Sequence, residues 1–128
     1  MNILLDTVTF IMIVSDSKRL SKTAKRIFLN SNNKLFLSVI SGWEIIVKNQ
    51  LGRLPLHDKP KNILTEDVIM HKIETISLEM SDILQLVNLP KIHKDPFDRM
   101  LVCQAKTHDM PILTPDPLIK KYKIKTLW

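Results

Sequence analysis

The sequence is poor in the residues that most often announce a cofactor or a crosslink. It has one cysteine, Cys103, and two glycines, Gly42 and Gly52. A single cysteine excludes an intrachain disulfide and a cysteine-based zinc finger, and it fits a reducing, cytoplasmic setting. Two glycines exclude both a phosphate-cradling Walker loop and the GxGxxG dinucleotide fingerprint. Long apolar runs are missing too: nothing approaches the roughly 20 residues of a membrane span, so no membrane association is expected. The opening MNILLDTVTFIMIVSDSKRL is apolar in places, but Asp6 interrupts it and no basic stretch precedes it. A secretory signal is therefore not expected. No repeat, low-complexity tract or linker breaks the chain, and turn signals are spread evenly. Residues 1–128 are expected to form one domain.

What is present is ordinary in amount and informative in position. Hydrophobic residues make up 45% and charged residues 25% of the 128. A chain of this length can bury roughly two-thirds of its unfolded surface and needs no covalent staple. Lys plus Arg number 19 against 13 Asp plus Glu, a formal net charge of +6. That balance weakly favours a polyanionic partner, although many bland domains share it.

Short apolar runs alternate with amphipathic stretches. Ile3-Leu4-Leu5, closed by Asp6, reads as a buried strand, and Thr9 to Val14 as the start of a helix broken by Ser15-Asp16-Ser17. Ser21 to Leu29 is an amphipathic helix, and Leu35 to Val39 a second buried strand. Ser41-Gly42-Trp43-Glu44 has the form of a capping box, with Gly52 where a helix-ending glycine belongs. Asn62 to Met70 reads as helical, Lys72 to Ile76 as a short third strand, and Leu78 to Val87 as a helix with Ser77 as its cap. Asp95-Pro96-Phe97-Asp98 opens another helix with a cap residue, a proline at the first helical position and an acid in the first turn. Pro111 to Thr114 is a fourth strand, Asp116-Pro117 opens a short helix, and Ile124 to Leu127 is a last strand. This alternation predicts an α/β fold: a three-layer α/β/α sandwich around a parallel sheet of about five short strands. Trp43 and Phe97 are expected as core anchors, and Cys103 as an inert buried thiol.

The acids fall at telling places. Asp6 and Asp116 each follow a strand, while Glu44 and Asp98 are expected in the first turns of helices. In a parallel sheet all strands end at one edge, where the following helices start and ligands bind. Each acid also has a structural explanation. Carboxylates favour helix starts, Glu44 can pair with Lys48 one turn on, Asp95 can cap its helix with Arg99 in reach, and Asp116 can cap before Pro117. Taken together the set says more. Four carboxylates in one crevice repel one another unless a cation is present. An oxygen donor set without a Cys or His group selects a hard ion, Mg²⁺ or Mn²⁺. His93, in the polar lead-in to the helix of Asp98, has two readings, facing the crevice or facing solvent, and solvent is the expectation.

The segments ILLDT (Ile3 to Thr7), SVISGWEIIVKNQLGRLPL (Ser38 to Leu56), HKDPFDRMLVCQA (His93 to Ala105), ILTPD (Ile112 to Asp116) and the closing IKTLW resemble the PIN domain. More narrowly they resemble the VapC-type toxin ribonucleases of toxin–antitoxin pairs. The resemblance runs along the whole chain. It implies a PIN-like α/β/α fold and a metal-dependent endoribonuclease using Mg²⁺ or Mn²⁺. It carries metal ligation onto Asp6, Asp98 and Asp116, with Glu44 holding metal directly or through water. Thr7 and Thr114 match supporting polar residues, with Asp95 and Arg99 in supporting positions beside them. Arg99 is expected to contact phosphate or pair with Asp95. The implied partners are an RNA substrate (tRNA, rRNA or mRNA), a small cognate antitoxin and a second copy in a homodimer. Residues 9–14 and 54–70 are the expected groove walls for the antitoxin. Close relatives often have a histidine or asparagine soon after the first aspartate. Here Thr7, Val8 and Thr9 follow Asp6.

Three other readings fit parts of the pattern. A PIN-like module that binds RNA or protein without cutting has no use for converging acids, which would repel phosphate. A response-regulator receiver needs an acid pair after its first strand and a lysine after a late one, and neither is present. A small DNase shares the acid pattern but lacks the extra helices of DNA-threading relatives.

Overall fold

A computed structural model describes residues 1–128. The elements run β1 (Asn2–Leu5), α1 (Thr7–Val14), α2 (Lys22–Leu29), β2 (Lys34–Ser38) and α3 (Val39–Gln50). A continuous helical stretch follows: α4 (Pro60–Asn62), one π turn (Ile63–Asp67) and α5 (Val68–Met70). Then come β3 (Glu74–Ile76), α6 (Met80–Leu84) with a 3₁₀ extension (Gln85–Asn88), and α7 (Pro96–His108). The chain closes with β4 (Ile112–Leu113), a 3₁₀ turn (Ile119–Lys121) and β5 (Thr126–Leu127).

The five strands form one sheet in the order β3-β2-β1-β4-β5, with every neighbouring pair parallel. Side chains of a strand alternate between faces, and the burial follows that rule. Ile3, Leu5, Leu35, Leu37 and Leu113 share one core with Phe10, Ile13 and Val14 of α1, Ala24 of α2, and Ile63 and Val68 of the 60–70 stretch. Leu4 and Ile112 point the other way, into a second core with Met100, Leu101, Val102 and Cys103 of α7. Helices cover both faces, so the three-layer parallel expectation holds.

Local chemistry sets the helix ends. Asp6 caps α1 by accepting from the Thr9 N–H (2.7 Å), and Ser21 caps α2 by accepting from the Ala24 N–H (2.9 Å). Asp95 caps α7, accepting from the Phe97 and Asp98 N–H groups, with Pro96 behind it. Gly52 follows α3 at φ +71°.

Several local expectations shift. Helix α3 starts three residues early: Ser38, not Ser41, is its cap, accepting from the Ile40 N–H. Glu44 therefore sits in the second turn and makes no capping box. Ser77 does not cap α6. Its hydroxyl donates to Glu79, whose own N–H donates to Asp82. Trp43 is not a core anchor: it is 60% exposed and lies edge-on against half-buried Phe97, with ring centroids 5.2 Å apart. The two sheet faces are already filled by aliphatic side chains, which leaves the outer face of α3 in solvent.

Candidate active site

In this strand order the chain leaves β1 toward β2 on one side and returns on the other side as β4. The resulting crevice lies beyond the carboxyl ends of β1 and β4. Asp6 follows β1 directly, and Asp116 stands three residues past the end of β4. Helix α3, which leaves β2, packs against α7. That contact brings Glu44 and Asp98 to the same crevice, where the charges of Glu44 and Asp6 both act on Asp98.

The acids differ in how they are held. Asp6 is buried, with Oδ1 taken by the Thr9 N–H and Oδ2 by the Thr114 hydroxyl. Burial drives its carboxyl above the usual range, the Thr114 and Thr9 hydrogen bonds oppose that, and the Asp116 charge adds to it. Glu44 is also buried. Its Oε1 accepts from the Thr7 hydroxyl (2.5 Å), and its Oε2 accepts from Lys48 Nζ. Thr7 Oγ1 also lies 2.9 Å from Ser41 Oγ. An ionised carboxylate only accepts and Thr7 has a single proton, so Ser41 donates to Thr7 in turn. Asp116 Oδ1 accepts from the Leu118 (2.7 Å) and Ile119 (3.3 Å) N–H groups, and its Oδ2 faces His93 Nε2 at 2.9 Å. Burial alone would raise the Asp116 carboxyl, but the His93 bond and those two N–H groups hold it below the usual range.

Asp98 is the least satisfied of the set. Its side chain is 16% exposed, and its one polar partner is His93 Nε2, 3.2 Å from Oδ2. Burial, then the charges of Asp95 and Glu44, push its carboxyl up to about 7 against the pull of His93, with Asp6 adding to the rise. A carboxylate so placed lacks a counter-charge.

Two cationic or donor side chains lie among the acids. Lys48 bridges Glu44 and Asp95, at 3.0 Å from Asp95 Oδ2, with Nζ 5.6 Å from the centre of the Phe97 ring. Burial lowers the Lys48 ammonium, but its bonds to Glu44 and Asp95 outweigh that and hold it above the ordinary lysine range. His93 bridges Asp98 and Asp116, and the nearest potential ligand atoms of these three residues lie within 4.8 Å of one another. His93 therefore does not face solvent as expected; its side chain is 11% exposed.

The supporting residues divide. Thr7 donates to Glu44 and Thr114 to Asp6. Asp95 spends one oxygen on its helix cap and the other on Lys48. Arg99 does not pair with Asp95. It donates to the carbonyls of Pro90 (3.0 Å) and Leu89 (3.5 Å) and to the Tyr122 hydroxyl (3.4 Å), and so anchors the segment that carries His93. Sequence reasoning missed Ser41 and preferred solvent over the crevice for His93. A buried serine on a helix face and a histidine five residues before an acid have no periodic signature that separates them from surface residues.

The donor set suits a hard divalent cation. Carboxylate oxygens dominate it, Asp98 has nearly all of its acceptor capacity free, and the surrounding acids make a bare cluster electrostatically costly. A surface hollow lies elsewhere, at the opposite edge of the sheet among Met1, Asn2, Met110 and Lys125. It contains none of these acids. No helix is long and apolar enough to cross a membrane.

Comparison with known proteins bears on the family and the fold. The family model of the PIN domain matches residues 3–125. No curated protein matches the sequence. Among solved structures, VapBC2 from Rickettsia felis, bound to a DNA fragment from its promoter, has a TM-score of 0.71 at 13% identity, with 100% of each chain covered. VapBC-1 from nontypeable Haemophilus influenzae has a TM-score of 0.63 at 16% identity, covering 98% of this chain and 96% of that one. FitAcB from Neisseria gonorrhoeae has a TM-score of 0.63 at 19% identity, covering 97% and 95%. At these identities the likeness is one of fold.

Proposed function

The chain belongs to the PIN domain family, and from that premise we propose that it is a metal-dependent endoribonuclease, the toxin of a VapBC-type pair. The observation that carries this reading is Asp98. It is a half-buried carboxyl under the charges of Asp95, Glu44 and Asp6, with no polar partner except a share in the His93 ring. Asp6, Asp98 and Asp116 would hold Mg²⁺ or Mn²⁺, with Glu44 reaching it directly or through water. A divalent ion bound there supplies an acidified water and offsets charge on the phosphodiester.

The chain's own residues do the positioning. Thr114 and the Thr9 N–H hold both oxygens of Asp6, which fixes that carboxylate at the end of β1. Thr7, backed by Ser41, fixes Glu44. Lys48 ties Glu44 on α3 to Asp95 at the head of α7, so the two helices keep their acids in register. Exposed Lys91, Lys94, Lys120 and Lys121 lie in the segments leading into α7 and following Asp116. They suit the backbone of a polyanion that the acids alone would repel. Single-stranded RNA regions fit best, because their phosphates and bases are accessible.

The family resemblance supports a small antitoxin and a homodimer as partners. Of the two expected groove walls, α1 is unsuitable: Phe10, Met12, Ile13 and Val14 are buried in or against the core. Exposed Ile69 and Met70 at the end of the 60–70 stretch remain available.

The test is cleavage of single-stranded RNA and of single-stranded DNA by purified protein, with Mn²⁺ or Mg²⁺ and with chelator. RNA cleavage is expected only with metal. Asp98→Asn should reduce the rate about 100-fold or more and leave the circular dichroism spectrum intact. Undiminished cutting by Asp98→Asn, or cutting of DNA alone, would overturn the reading.

A further inference from the structure

His93 stands where a nitrogen ligand would complete a His-Asp-Asp metal set. Its hydrogen bonds argue for a different role. The Asp95 backbone N–H donates to His93 Nδ1 at 3.1 Å. A ring nitrogen that accepts carries no proton, so the ring proton is on Nε2. Nε2 is the atom that faces Asp116 Oδ2 at 2.9 Å and Asp98 Oδ2 at 3.2 Å. It is therefore a donor, with no lone pair to offer a metal. Ligation through Nε2 would need the proton on Nδ1, directly against the Asp95 N–H.

The ring is also held in place from behind. The His93 backbone N–H donates to the buried Tyr122 hydroxyl at 2.9 Å, and Arg99 reaches that same hydroxyl and the Leu89 and Pro90 carbonyls. The Asp95 N–H that fixes the tautomer belongs to the residue capping α7, whose first turn carries Asp98. One backbone segment thus sets the ring's position, its proton and the helix bearing one of its two partners.

From this we infer that His93 is a positioning residue, not a metal ligand. Its Nε2–H donates to Asp116 Oδ2 and keeps Asp98 Oδ2 3.2 Å from the same nitrogen across the crevice, leaving Asp98 Oδ1 free for the cation. The inference rests on the metal site proposed above. Without the clamp, no side chain joins Asp98 on α7 to Asp116 after β4, and their like charges oppose ligating separation.

The experiment uses Mn²⁺ alone with the full chain. Free Mn²⁺ is counted by its electron paramagnetic resonance signal, and the bound ion is examined for coupling to directly coordinated ¹⁴N. The wild type should bind Mn²⁺ and show no imidazole nitrogen coupling. His93→Ala should weaken Mn²⁺ binding about 10- to 100-fold, the usual cost of removing a group that orients ligands. His93→Gln, whose amide N–H can reach the place of Nε2–H, should restore most of that loss. Imidazole coupling in the wild type would overturn the inference by making His93 a ligand, and that readout needs no substitution. Unchanged affinity in His93→Ala would also overturn it, as would a His93→Gln no better than His93→Ala. Failure of the wild type to bind Mn²⁺ would instead sink the metal site itself, and the clamp with it.

Discussion

Arg99 shows how far a single residue can depart from its pattern. It lies one residue past Asp98 in a basic chain, where a phosphate contact is the natural expectation. Its guanidinium is instead spent on the Leu89 and Pro90 carbonyls and the Tyr122 hydroxyl. Arg99→Ala should therefore lower unfolding free energy by about 1–3 kcal/mol, the cost of leaving those groups unpaired, as read by urea titration. The salt dependence of RNA binding should not change, whereas removing a phosphate contact would flatten the slope by about one unit. Lys48 is the converse case. Its spacing from Glu44 was readable as a helical pair, but its second bond, to Asp95, joins positions far apart in the chain. Cys103 sits in the second core as expected, with burial pushing its thiol up and away from reactivity.

Helix ends carry most of the element-scale information. Asp95-Pro96 was legible because a cap acts through its own next three residues. The start of α3 was not, because Ser38 and Ser41 are equally good caps in sequence. The parallel pairing of β2 with β1 and β3 leaves the strand ending at Ser38, and the helix begins there. The three-residue shift turns Ser41 inward to Thr7 and moves Glu44 one turn deeper, where it is buried and not a cap. The end of α3 is simpler. Gly52 has φ +71°, and nothing lies within 4 Å of where a Cβ would stand. Gly52→Ala should thus cost about 1 kcal/mol from backbone conformation alone, measured as a shift in denaturant midpoint with an unchanged slope.

At the scale of the molecule, one sheet separates two cores, and β1, β2 and β4 feed both. Leu5 faces α1 while Leu101 of α7 packs on the other side. Because the same short strands bound both cores, neither can be lost alone. Leu5→Ala and Leu101→Ala should each cost about 2–5 kcal/mol and move one cooperative melting transition. A second transition in either variant would show that the layers unfold separately. The sequence by itself determined the layered parallel fold and the strand-end acids Asp6 and Asp116. Those follow from alternation of side chains along a strand and from the common direction of parallel strands, both local rules. Only the tertiary structure decided how the acids are held. The packing of α3 on α7 brings Glu44 and Asp98 to the crevice, leaves Asp98 short of donors, and sets Lys48 between Glu44 and Asp95. The Leu89–Asp95 segment turns His93 inward with its proton on Nε2. These depend on distances between segments remote in the chain, which periodicity and capping do not encode.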